Sequence, residues 1–169
     1  MGKILIVSAT RKTNYILAKN LEQILLGLGV KVTVISLEDY VLPLYTDSIY
    51  QDKKNEYFDV VKDLTKQFMA HKGLIICGPE YNGSTPPIIT NAIAWISVST
   101  DYWKDAFIDK VSLIASCSGG PGTKFISNMR IQLEHLGALV MPSSINVNSR
   151  NPLKEDSAKK ILKQFINHI

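Results

Sequence analysis

Apolar residues recur along this chain in two alternating rhythms. Short continuous runs at residues 3–9, 31–36, 73–78 and 111–116 have the length and β-branched content of strands buried on both faces. Between them the spacing becomes helical. Ile16, Leu17, Leu21, Ile24, Leu25 and Leu28 define a helix over residues 14–28, and Gly29 follows in the position that favours a left-handed residue. Further helices are predicted over residues 55–70, 124–136 (ended by Gly137) and 154–166. Another, over residues 86–99, opens on prolines where a helix tolerates them. Residues 140–146 predict a fifth strand, which Pro142 interrupts and so places at a sheet edge. Five strands alternating with five helices predict a single α/β domain over residues 1–169, with a parallel sheet covered by helices on both faces.

Composition narrows the class. The 169 residues are 46% hydrophobic and 20% charged, enough for a sizeable core and without the bias of a disordered chain. The apolar run at the start is too short for a signal peptide and no small-residue cleavage site follows it. No stretch approaches the ~18 apolar residues of a membrane helix. The expectation is a soluble, cytoplasmic protein with no membrane partner. The net charge of +4 is spread along the chain, with a mild lysine cluster at Lys154, Lys159, Lys160 and Lys163. It forms no basic stripe with interleaved aromatics, so no nucleic-acid partner is expected. Cys77 and Cys117 lack metal-ligand or CxxC spacing and read as small buried hydrophobes, and no metal site is predicted.

In such sheets ligands bind outside the carboxyl ends of the strands, where the strand order reverses. The loops to inspect therefore follow strands one, three and four. The first, Ser8-Ala9-Thr10-Arg11-Lys12-Thr13-Asn14, is hydroxyl-rich, carries two cations and runs into a helix N-terminus. Free amides and the helix dipole there favour an anion, although the same residues also suit a plain helix start capped by Thr13. No GxGxxG or Walker motif is present. The second loop, Gly78-Pro79-Glu80-Tyr81-Asn82-Gly83-Ser84-Thr85-Pro86-Pro87, is stiffened by prolines around an Asn-Gly turn. Its backbone amides suit the polar edge of a planar ring, and the same residues also suit a plain strand-to-helix turn. The third, Ser116-Cys117-Ser118-Gly119-Gly120-Pro121-Gly122-Thr123, lets a ligand approach the backbone closely, although standing alone it reads as a flexible connection.

The Pro79-Glu80-Tyr81-Asn82-Gly83-Ser84 run, with Pro86 and Asn91-Ala92-Ile93-Ala94-Trp95 after it, resembles the signature of the NADPH-dependent FMN reductases. The Ser8, Arg11, Thr13-Asn14 loop, Leu42-Pro43-Leu44-Tyr45, the glycine loop, and Met129-Arg130 with Leu136-Gly137-Ala138 extend the likeness over residues 3–145. The first loop is a compressed form of the family's Ser-x-Arg-x-x-Ser-x-Asn. The resemblance implies a flavodoxin-like three-layer sandwich of strand order 2-1-3-4-5, with FMN as cofactor and NAD(P)H as reductant. By carry-over, Ser8, Arg11, Thr13 and Asn14 hold the FMN phosphate, residues Pro79, Glu80, Tyr81, Asn82 and Gly83 meet the ring edge, and Ser118, Gly119 and Gly120 border it. It further implies transfer to a small acceptor such as a quinone, an azo compound or a flavin, and assembly as a homodimer or homotetramer through the strongly apolar helix at residues 86–99.

The chemistry belongs to the cofactor, so no catalytic acid or base is assigned. Glu80 is expected to stabilise its loop, and His71, His135 and His168 to lie away from the site. The alternative is a non-enzymatic flavodoxin-type electron carrier. Such carriers tend to be acidic around the flavin, whereas this chain has a pI of about 9.0. A nucleoside or nucleotide-sugar enzyme would want paired carboxylates that these loops lack.

Overall fold

The computed structural model describes residues 4–169; Lys3, which the sequence pattern joins to the first strand, lies outside them. Strands β1 (Ile4–Ser8), β3 (Gly73–Cys77) and β4 (Val111–Cys117) are buried along nearly their whole length. With β2 (Val32–Ser36) and β5 (Leu139–Val140) they form a sheet of order β2-β1-β3-β4-β5, and every pairing is parallel. The order is the one the family resemblance implies. The predicted fifth strand is divided. Pro142 has no N–H to give to the ladder, so β5 stops at Val140 and a separate piece, β6 (Ile145–Val147), resumes the pairing further along β4.

Because side chains alternate across a strand, each strand feeds two cores. Leu5, Val7, Leu74, Ile76 and Ile114 face helices α3 (Phe58–Met69), α4 (Pro87–Ser97) and α5 (Thr123–His135). Ile4, Ile6, Ile75, Leu113 and Ala115 face α1 (Thr13–Gly27) and α6 (Glu155–Ile166). Gly29 and Gly137 adopt the left-handed conformation expected after α1 and α5. His71 is buried at the far end of the sheet from the strands' carboxyl ends. Its ring bonds the Gln67 carbonyl and the Thr33 hydroxyl, which joins α3 to β2.

Two elements were not legible in the chain's periodicity. Leu37–Asp39 forms a 3₁₀ turn directly after β2, with Ser36 Oγ accepting from the Glu38 N–H. Asp47–Lys53 forms a helix, α2, capped by Thr46 Oγ1; none of its residues is fully buried, so it carries no apolar stripe to read. The third α-helix accordingly begins at Phe58, later than the predicted residue 55. The segment around α2 explains the apolar character of α4. Tyr45, Tyr50 and Tyr57 pack on Trp95 at centroid distances of 5.5–6.2 Å. Trp95 Nε1 and Asn91 Nδ2 both donate to the Pro43 carbonyl at 2.9 Å, and Asn91 Oδ1 accepts from the Tyr45 N–H. The outward indole is thus covered by the chain itself.

Trp95→Ala should destabilise the fold by about 3–5 kcal/mol. Trp95→Phe should cost about 1–2 kcal/mol, because Asn91 still satisfies Pro43. Urea denaturation of both variants, with an unchanged slope, checks the ranking.

Candidate functional site

All three inspected loops emerge at the carboxyl edge of the sheet, where β1 and β3 lie side by side and their chains depart to opposite faces. Hydrogen bonds between residues distant in sequence lock the loops together. Asn14 is buried, and its amide donates to the Cys117 carbonyl at 2.9 Å and accepts from the Cys117 N–H at 2.8 Å. One side chain thereby fixes the first loop to the third. The Glu80 N–H donates to Ser118 Oγ at 2.8 Å, and Ser118 Oγ in turn shares a hydrogen bond with Ser116 Oγ, fixing the second loop to the third.

The α5 helix starts on Gly122, whose φ of 67° and tight packing admit only glycine: a Cβ there would stand 2.7 Å from Ser116 Oγ. Glycine has no side chain to cap the helix. The Glu80 carboxylate supplies the cap from the second loop, accepting from the N–H groups of Lys124 at 2.9 Å and Phe125 at 3.4 Å. Glu80 is a loop-stabilising group, as its position in the sequence suggests. The adjoining turn has Asn82 and Gly83 at φ of 49° and 71°, and Tyr81 and Ser84 close it with paired backbone bonds of 3.0 and 2.9 Å. This is the geometry that an Asn-Gly pair favours.

The locked loops enclose a cleft of about 540 Å³, lined by Thr10, Lys12, Thr13, Asn14, Glu38, Pro79, Glu80, Tyr81, Cys117, Ser118, Gly119, Asn148 and Ser149. A second, shallower hollow of about 630 Å³ beside it is walled by Tyr81, Asn82 and Thr85. Of the residues singled out in the sequence, Thr13, Asn14, Pro79, Glu80, Tyr81, Ser118 and Gly119 meet in the first cleft and Asn82 in the second. Ser8 is buried beneath the loop, its hydroxyl bonded to the Thr10 carbonyl at 2.7 Å. Gly83 lies on the far side of its turn, against Lys124, and Gly120 is exposed beyond the cleft lining. Arg11 turns outward to pair with Asp39. Asn148 and Ser149 were overlooked; they follow β6 at the same sheet edge, so the rule that located the other loops reaches them too. Glu38 was overlooked because the turn that carries it leaves no periodic signal.

Thr13 does not cap α1. The cap position falls on Lys12, with no side-chain hydrogen bond, so amides of the first turn remain available to an anion. A Cβ added to Gly119 or Gly120 would meet nothing within 4 Å, which leaves that flank open to a flat ligand. Both features suit a planar group bearing a phosphate. Cys77 is fully buried, and burial pushes its thiol well above the ordinary range, which removes it from nucleophilic chemistry. His135 lies against Trp103, away from the cleft. Among the described residues no cluster of His, Cys, Asp and Glu could hold a metal ion, and no helix is long and apolar enough to cross a membrane.

A parallel sheet covered on both faces, with its cleft at the reversal of strand order, defines a flavodoxin-like protein. Solved structures agree. The flavoenzyme NAD(P)H:(acceptor) oxidoreductase FerB of Paracoccus denitrificans superposes with a TM-score of 0.75 at 20% identity, covering 99% of this chain and 95% of its own. An FMN-dependent NADH-azoreductase of Bacillus anthracis, solved with FMN, gives a TM-score of 0.68 at 14% identity over 98% and 96% of the two chains. Residues 3–151 match the family model described as NADPH-dependent FMN reductase, and the chain belongs to that family. An FMN-dependent NADPH-azoreductase of Staphylococcus aureus is 28% identical over 117 residues, 69% of this chain and 57% of that enzyme. The chain spans about three-fifths of the length of the curated relatives it matches.

Asn14→Ala would leave the Cys117 N–H and carbonyl without their partner, at about 1–3 kcal/mol for each group left unpaired. The variant should unfold at lower urea concentration with no ligand present, which a purely ligand-binding role for Asn14 would not produce.

Proposed function

We propose that this chain is a flavoenzyme that uses NAD(P)H to reduce bound FMN and passes the reducing equivalents to a small acceptor: a quinone, an azo compound or a free flavin. The observation that carries this reading is the convergence of three hydrogen-bonded loops on one cleft whose walls combine an uncapped helix start, the Pro79-Glu80-Tyr81 segment that leads into a stiff Asn-Gly turn, and an open glycine flank. Family membership and the names of the relatives support the same chemistry. When bound, FMN would accept a hydride from the nicotinamide and donate it to the acceptor. The protein's part is to orient the cofactor and limit access of water.

In this reading the α1 amides and the side chains of Thr13 and Lys12 receive the phosphate. Ser8 and Asn14 hold the loop in shape around it, and Arg11 stands at its rim. Pro79, Glu80, Tyr81 and Asn82 present backbone along the ring edge, with Gly83 setting the turn behind them and the half-exposed Tyr81 ring beside it. Ser118, Gly119 and Gly120 border the ring from β4. No side chain is assigned as acid or base, since the Glu80 carboxylate is committed to α5 and no histidine lines the cleft. Association into a homodimer or homotetramer belongs to the same reading. Its support is the exposed aromatic side chains of Phe58, Tyr102 and Trp103, and light scattering of the purified chain measures it.

The purified protein mixed with FMN should show a protein-bound flavin spectrum that bleaches under anaerobic NADPH and returns when a quinone is added. A pure electron carrier would bind flavin without rapid NADPH oxidation. Equilibrium dialysis that finds no retention at tens of micromolar, about −6 kcal/mol of binding free energy, would falsify the reading.

Gly83→Val places a β-branched residue at a φ of 71°, where only a residue without Cβ sits unstrained. Because the turn is at the surface end of the sheet, the variant should still fold, with its loop displaced and FMN affinity reduced at least tenfold. A folded variant with undiminished affinity removes this turn from the site.

A further inference from the structure

The first loop already holds an anion of the chain's own. Glu38 Oε2 accepts a hydrogen bond from the Arg11 backbone N–H at 2.6 Å, and the Glu38 side chain lines the same cleft as Thr10, Lys12, Thr13 and Asn14. The neighbouring Asp39 takes the Arg11 guanidinium. The strand register explains this placement. Ser8 pairs with Ser36 at the ends of β1 and β2, so the loop after one strand and the 3₁₀ turn after the other leave the sheet at the same level. Ser36 Oγ, accepting from the Glu38 N–H, sets the turn that aims both acids at residue 11.

An uncapped helix start with adjacent loop amides attracts any anion within reach. A tethered carboxylate is present there at high effective concentration. A phosphate entering this loop meets one amide already taken, one guanidinium already paired, and two carboxylates of its own sign. An unphosphorylated flavin would place only neutral hydroxyls near these groups.

We propose that Glu38 is an internal competitor for the phosphate subsite, and that with Asp39 it sets how strongly the cleft favours phosphorylated over unphosphorylated flavin. This rests on the flavin-binding reading above for its ligand, but the competition itself is between two anions and can be read without flavin. The chain would then hold FMN less tightly than its loop amides alone allow, and would discriminate weakly between FMN and riboflavin.

The test is to measure FMN and riboflavin affinities by quenching of flavin fluorescence in the wild type, Glu38→Ala, Glu38→Gln and Asp39→Asn. In parallel, the melting temperature of each flavin-free protein is followed as inorganic phosphate replaces chloride at constant ionic strength. Glu38→Ala should bind FMN on the order of tenfold more tightly, the worth of one charge-assisted hydrogen bond, with riboflavin changed less than about twofold. It should also gain a phosphate-dependent rise in melting temperature larger than the wild type's. Glu38→Gln, which keeps an acceptor for the Arg11 N–H but loses the charge, should fall between, and Asp39→Asn should shift in the same direction by releasing Arg11. Equal gains for both flavins would mean that Glu38 only crowds the cleft. Equal losses would make it a contact to the flavin's hydroxylated chain. Either result overturns the proposal, as does FMN binding that Glu38→Ala leaves unchanged. If no protein retains either flavin, the functional reading falls, and the phosphate series still decides the competition: no added phosphate stabilisation in Glu38→Ala removes it.

Discussion

β1, β3 and β4 have no face to offer to water. Their side chains are buried on both sides, so helices must cover both, and each strand must leave the sheet and return through a helix before the next can pair with it in parallel. Every strand therefore ends on the same edge, and every polar or glycine-bearing connection after a strand is gathered there. The cleft follows from that requirement. A loop on an antiparallel hairpin would be free to vary alone, whereas these loops share one rim and answer to one another.

What turns a shared rim into a defined cavity is a small set of long-range bonds. Asn14 reaches residue 117, Glu80 reaches Ser118 and the start of α5, and Gly122 lets the third loop sit directly on Ser116. Each of these groups would be unremarkable in its local sequence. Together they tie the three loops into one unit through bonds made within the chain, the kind of support that a preorganised site requires.

The parallel sheet and the five long helices were readable because their signals are strong, whereas the strand order came only with the family resemblance. The strands are uninterrupted apolar runs, and α1, α3 and α6 carry buried residues at helical spacing. Leu37–Asp39 and Asp47–Lys53 escaped because their formation depends on single hydroxyl caps, Ser36 and Thr46, and, for the second, on packing of Tyr50 against Trp95 that only tertiary structure supplies. The site was legible as loops and only partly as contacts. The family resemblance points to Asn14, Glu80 and Arg11, yet their immediate partners are Cys117, the α5 amides and Asp39, none of which a motif reveals. The apolar excess of α4, which the family resemblance turns toward a subunit interface, is partly absorbed by Tyr45, Tyr50 and Tyr57 of the same chain.

The division of the last strand affects how the protein behaves in a crowded solution. A straight outer strand offers a continuous row of amides and carbonyls on which another chain can grow. Here the row is broken at Pro142, and Arg130 reaches across from α5 to take the carbonyls of Met141 at 2.6 Å and Pro142 at 3.3 Å. Two residues of pairing on one side of the break and three on the other are too short to template a foreign strand. The proline that marks this strand as an edge in the sequence also blunts that edge as a template for strand-to-strand aggregation.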